Sequence, residues 1–199
     1  MTYDVLFVDG CIRKESSRTR RLAEAFVERL QARGDHAVER LVLTEEPLLP
    51  LTGDFFWQRE RLLEAGDLDH ARFRYAHRFA RADKIVIAAP FWDLSFPALL
   101  KIYIENVSVQ GITFDCDTTD GRLFGICRAE KMCYLTTRGG AYVDSSLETA
   151  LPTLRNLATF FGIPAFDYVA ADGIDLGHEP ADVILARAIE EARAMADVW

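Results

Sequence analysis

The chain has 199 residues, half of them apolar and 27% charged, with a mean hydropathy of +0.01. These values are ordinary for a soluble globular protein and allow one domain with a full-sized core. A net charge of −8 and a pI near 5.0 argue against a nucleic-acid or anionic-membrane surface, but leave room for a small anion held by local positive potential.

Residues 4–8 read as a first strand, followed by a polar loop over 9–18 and a helix over about 19–33. Leu22, Ala23, Phe26, Val27 and Leu30 share one face of that helix, and Gly34 is its stop. No charged leader precedes the strand and no apolar run approaches membrane-spanning length, so a cytoplasmic protein is expected. Residues 36–43 form a second strand, and 44–52, with Pro47 and Pro50, a loop. The stretch 53–82 is longer than a simple crossover needs. It holds Phe55-Phe56-Trp57, a break at Gly66 and a helical segment near 70–82, an excess that reads as cover over something. His70 and His77 lie about 10 Å apart on a helix, too far to share a metal, and read as solvated.

In the third strand, residues 83–89, the run Ile85-Val86-Ile87-Ala88-Ala89 has no polar interruption, as expected for a strand buried on both faces of a parallel sheet. It stops at Pro90. Ser95 reads as an N-cap and Pro97 as a first-turn residue of a helix reaching about Ser108, with Leu99, Ile102, Tyr103 and Val107 at helical spacing. Between them Phe91-Trp92-Asp93-Leu94 place two aromatics beyond a strand's carboxyl end, where ligands of open α/β sheets bind. Taken alone, they fit a cap on the core as well as a flat ligand.

Residues 110–127 carry a hairpin signal, with Ile112-Thr113-Phe114, a polar turn and Leu123-Phe124-Gly125-Ile126. Residues 131–137 form a fourth strand, 145–161 a helix closed by Gly162 and Pro164, 166–171 a fifth strand and 180–199 a last amphipathic helix. Five strands alternating with helices, without repeats or a linker, indicate a single-domain, doubly wound three-layer α/β sandwich over 1–199. A parallel sheet of order 2-1-3-4-5, with the inserted hairpin near 112–127, is the fold-level analogy. The four cysteines are scattered, with no C-x-x-C and no zinc spacing, and read as free thiols.

A parallel sheet puts the loops after strands one, three and four on one edge. The first, Glu15-Ser16-Ser17-Arg18-Thr19, offers hydroxyls, a guanidinium and N–H groups at a helix N-terminus, a combination that holds phosphate, or is an ordinary Ser cap with surface arginines. The second is the aromatic loop. The third, Thr137-Arg138-Gly139-Gly140, has the chain's Gly-Gly pair, which permits φ > 0 and close backbone approach to a ligand or makes a plain turn. Together the three describe a site for a phosphorylated aromatic ring system.

The chain resembles the flavodoxin-like FMN-dependent NAD(P)H oxidoreductases of the azoreductase and quinone reductase family, over nearly its whole length. The motifs are Ser17-Arg18-Thr19, Pro90-Phe91-Trp92-Asp93-Leu94 with Pro97 and Leu100-Lys101, Gly111-Ile112-Thr113-Phe114, and Thr137-Arg138-Gly139-Gly140. The resemblance implies that Ser17, Arg18 and Thr19 hold the FMN phosphate, that Pro90, Phe91, Trp92, Asp93 and Leu94 run along the flavin ring, and that Thr137, Arg138, Gly139, Gly140 and Tyr142 serve its pyrimidine side. It implies NADH or NADPH as co-substrate, a quinone or azo compound as acceptor, ping-pong hydride transfer carried by the cofactor rather than by a catalytic side chain, no metal, and a homodimer. The helix after Pro97 and the hairpin are expected in that dimer's contact, with Tyr103, Ile104 and Phe114 supplying apolar area. Asp93 stands where many relatives have Asn, and Tyr142 where azoreductases often have His. Two other readings use the same fold: a flavodoxin-type electron carrier and a cofactor-free regulatory protein.

Overall fold

Five strands pair in parallel in the order β2-β1-β3-β6-β7 in the computed structural model, which describes residues 2–199. They are β1 (Tyr3–Asp9), β2 (His36–Val42), β3 (Lys84–Ala88), β6 (Lys131–Thr137) and β7 (Ala165–Ala171). In order of appearance this is the 2-1-3-4-5 arrangement. The register sets Val5 beside Lys84 and Lys84 beside Lys131, so the carboxyl ends of β1, β3 and β6 finish together. The strands β4 (Phe114–Cys116) and β5 (Leu123–Gly125) pair antiparallel as a separate hairpin.

Helices α1 (Arg18–Ala32) and α6 (Ala181–Val198) cover one sheet face through Leu22, Phe26, Leu30, Leu185 and Ala192. Helices α3 (Arg74–Arg81), α4 (Ala98–Val107) and α5 (Ala150–Phe160) cover the other through Phe79, Leu100, Tyr103, Leu154 and Ala158. All five residues of β3 are buried, which is why residues 85–88 are apolar without alternation; the buried Lys84 that opens the strand donates to the Trp199 carbonyl at 2.6 Å. The hairpin folds back on the end of α5, where Gly125 and Gly162 cross backbone to backbone, an approach a Cβ would block.

Several expectations need correction. The stretch 53–64 is a regular helix, α2 (Gly53–Glu64), and carries the aromatic triplet. Helix α5 starts at Ala150, not at 145. Ser145 Oγ accepts from Leu147 N–H, and the Glu148 carboxylate accepts from Leu151 N–H at 3.0 Å, local bonds that compete with an earlier helical start. Ser95 is not a cap, because Pro97 occupies that position and Ser95 pairs with Trp92. His70 and His77 are half-buried rather than solvated: His70 Nδ1 accepts from Arg72 N–H, and His77 Nε2 lies 2.8 Å from the Leu68 carbonyl oxygen. Tyr103 and Ile104 are core residues and cannot supply a free apolar surface, whereas Phe114 packs on Phe160 and stays half-buried. On the hairpin Leu123, Phe124 and Ile126 are the exposed apolar side chains.

Candidate functional site

The loops after β1, β3, β6 and β7 enclose a cleft of ≈ 350 Å³ at the carboxyl edge of the sheet. Arg13, Ser16, Ser17, Arg18 and Thr19 come from the first loop and Pro90, Phe91 and Trp92 from the second. Thr137, Arg138 and Gly139 come from the third, and Ile174 and Asp175 from the fourth. Nine of the residues expected from sequence share this wall. Asp93, Leu94, Gly140 and Tyr142 stand outside it and frame the loops.

Ser17 is the N-cap of α1. Its extended backbone (φ −79°, ψ 121°) lets Oγ accept from Arg20 N–H at 3.2 Å, which leaves the hydroxyl proton free to donate. The N–H groups of Arg18 and Thr19 open the helix and have no intrahelical acceptor, at the positive end of the macrodipole. Thr19 is fully buried, and its hydroxyl meets that of Thr137 at 2.6 Å, fastening α1 to the end of β6. Beneath the loop, buried Asp9 accepts from Cys11 N–H through Oδ1 and sets Oδ2 3.3 Å from Arg20 Nε. Burial, then the Asp9 charge, pushes the Cys11 thiol far up, so it is not a nucleophile.

Phe91 is buried, with its ring centroid 4.7 Å from that of Tyr142, so it caps the core, whereas Trp92 is 37% exposed beside the cleft. Trp92 and Ser95 exchange both backbone hydrogen bonds, at 3.0 and 2.8 Å, around Asp93 (φ +50°) and Leu94 (φ +64°). This is a two-residue turn with both central residues left-handed. Asp tolerates that region, but for Leu94 it costs about 1 kcal/mol or more, and such strain concentrates at functional loops. The Leu94 carbonyl accepts from both Thr149 N–H and Thr149 Oγ1, which pins the turn to the start of α5.

Gly139 and Gly140 both have negative φ, contrary to the expectation for a Gly-Gly turn. They leave room for close neighbours: a Cβ on Gly139 would lie 2.8 Å from Asp175 Oδ2, and one on Gly140 2.8 Å from the Tyr142 ring, so those side chains would have to shift. Arg138 is buried between Glu148 (3.5 Å) and Asp172 (3.4 Å), and Asp172 also accepts from Tyr142 N–H. Arg138 Nε and Nη2 are buried without a hydrogen-bond partner. Nη2 faces Glu148 in the ion pair, and neither atom is open to the cleft. Ser16 falls in the expected first loop, whereas Arg13, Ile174 and Asp175 were not anticipated from sequence. The last two follow the fifth strand, whose carboxyl end opens on the same edge, and that topology is the signal that could have found them. Among the described residues no group of three His, Cys, Asp or Glu side chains could hold a metal, and no helix is long and apolar enough to cross a membrane.

A 2-1-3-4-5 parallel sheet with an anion-ready first loop defines a flavodoxin-like protein. Residues 4–196 match the family described by the flavodoxin-like fold, and the chain belongs to it, in the group of quinone reductases and azoreductases. It is 36% identical over 199 residues to FMN-dependent NADH:quinone oxidoreductase 2 of Clostridium acetobutylicum, covering 96% of this chain and 97% of the relative. The FMN-dependent NADH:quinone oxidoreductase of Clostridium beijerinckii is 34% identical over the same shares. The crystal structure of an azoreductase from Bacillus anthracis str. Sterne superposes with a TM-score of 0.87 at 27% identity, covering all of both chains.

Proposed function

We propose that the protein is an FMN-dependent NADH:quinone oxidoreductase that also reduces azo compounds. The observation that carries this reading is the cleft itself. The free N–H groups of Arg18 and Thr19, the Ser17 hydroxyl and the guanidinium groups of Arg13 and Arg18 fit a phosphate, and the exposed Trp92 beside them fits a flat ring. When bound, FMN supplies hydride acceptance from NADH and two-electron delivery to the acceptor.

The chain's own residues bind and orient. Ser17, Arg18 and Thr19 hold the phosphate at the dipole of α1. Pro90, Phe91 and Trp92 line the ring, while Asp93 and Leu94 set the turn that aims them. Thr137, Arg138 and Gly139 face the pyrimidine side, with Gly140 and Tyr142 allowing the loop to close on Phe91. Trp92 is exposed and the cleft is open, which supports one shared face where NADH leaves before the acceptor enters. A second hollow of ≈ 690 Å³ shares Arg138 as a wall and runs past Tyr142, Leu151 and Tyr168, giving room for an aromatic acceptor. Leu123, Phe124 and Ile126 on the hairpin support a homodimer, in place of the buried Tyr103 and Ile104.

Steady-state NADH oxidation by the flavin-stripped chain, with a benzoquinone as acceptor, tests the reading. Activity should depend on added FMN, and initial rates at several fixed quinone concentrations should give parallel double-reciprocal lines. Converging lines reject the ping-pong order, and no FMN-dependent turnover rejects the function.

A further inference from the structure

The fourth loop places a carboxylate against the proposed phosphate site. Residues 173–175 pair with the loop after β6 in three successive backbone bonds: Gly173 N–H to the Gly140 carbonyl (2.9 Å), Ile174 N–H to Arg138 (3.1 Å) and Asp175 N–H to Gly139 (2.9 Å). This zipper fixes the Asp175 backbone, and the carboxylate lies over Gly139, where any Cβ would strike it. From there Asp175 Oδ1 accepts from Arg18 Nη1 at 2.7 Å, joining α1 to the fourth loop along the cleft wall.

We propose that Asp175 is an internal competitor for Arg18 that limits how tightly the cleft holds a phosphorylated ligand. The proposal rests on the FMN reading of the same site. A phosphate monoester carries about −1.5 to −2 charge at pH 7 and is the stronger partner for a guanidinium. On binding it takes Arg18 from Asp175. The zipper keeps the carboxylate nearby, so like-charge repulsion persists in the loaded site. Arg18 and Asp175 side chains are 44% and 63% exposed, which screens the effect to a modest size and makes it depend on salt. Riboflavin has no phosphate and needs neither the exchange nor Arg18. Asp175 therefore sets FMN affinity without touching the ring, leaving the cofactor exchangeable.

The test is fluorimetric titration of the flavin-stripped full chain with FMN and with riboflavin, at low and at physiological ionic strength. Asp175→Asn keeps the shape and removes the charge. It should tighten FMN by about two- to fivefold at low salt and less at physiological salt, and leave riboflavin unchanged within error. Asp175→Glu keeps the charge and should not tighten FMN. Unchanged or weaker FMN binding in Asp175→Asn, an equal shift for both flavins, or an equal gain in Asp175→Glu overturns the proposal while the cofactor reading stands. A wild-type chain that binds neither flavin overturns both.

Discussion

Arg138 is the most heavily committed side chain of the site, and Arg138→Met tests whether its charge holds the third loop in place. The guanidinium is 3% exposed, with Glu148 at 7% and Asp172 at 15% on either side. Methionine fills similar volume but leaves two largely buried carboxylates without their cation. Removing one partner from a buried ionic cluster costs about 3 kcal/mol. For a domain of this size that lowers Tm by roughly 6–12 °C. Urea unfolding of the flavin-free chain, followed by tryptophan fluorescence, measures the loss. The same substitution in a Glu148→Gln/Asp172→Asn background should cost less than about half as much, because no orphaned charge remains. Hydrogen exchange at Tyr142 N–H, which Asp172 accepts, should accelerate in Arg138→Met. A loss below about 1 kcal/mol, or an equal loss in both backgrounds, would refute the reasoning.

His36 has a fully buried side chain whose pKa lies below the usual 6.5 chiefly through burial, with Lys84 Nζ 3.2 Å away adding to the shift and Asp35 at 2.6 Å opposing it. Its contribution is present above pH 6.5 and is lost as the pH falls through the lower folded value. Tm should therefore drop more steeply below pH 6.5 in the wild type than in His36→Gln, and parallel curves would contradict this. Burial also raises the thiols of Cys11 and Cys133 strongly and that of Cys127 to about 12. Iodoacetamide at pH 8 should label Cys116 first and the other three only on unfolding, as read by peptide mass spectrometry. Ser17→Ala removes the cap of α1 and should cost about 1 kcal/mol in urea unfolding, while a cost near zero would mean the Arg20 N–H finds another acceptor.

The main sheet was readable because residues 85–88 and 132–135 are apolar runs at the heart of β3 and β6, and β6 spans the expected residues 131–137. The three cleft loops followed from parallel topology, which places strand ends together whatever the loops contain. What failed was local. Ser95 reads as a cap and Ser145 as a helix start, but Ser95 closes a tight turn and Ser145 sits in a side-chain-bonded loop, and tertiary pinning by Thr149 and Asp172 decides both. Gly139 and Gly140 were read for torsional freedom and close approach to a ligand, whereas their φ is negative and the close neighbours are the Asp175 and Tyr142 side chains. Tyr103 was read at an interface because helical spacing shows which residues share a face, not which layer covers it. Asp175 carried no motif, and only folding brings it to Arg18, 157 residues earlier.

Binding of FMN in this cleft and its reduction there by NADH are read together in one anaerobic absorbance titration of the FMN-loaded protein with NADH. The flavin spectrum should bleach with one equivalent of NADH and return when a quinone is added. A bound flavin that NADH does not bleach would make the protein an electron carrier, and a chain that retains no flavin after gel filtration with FMN would contradict the site.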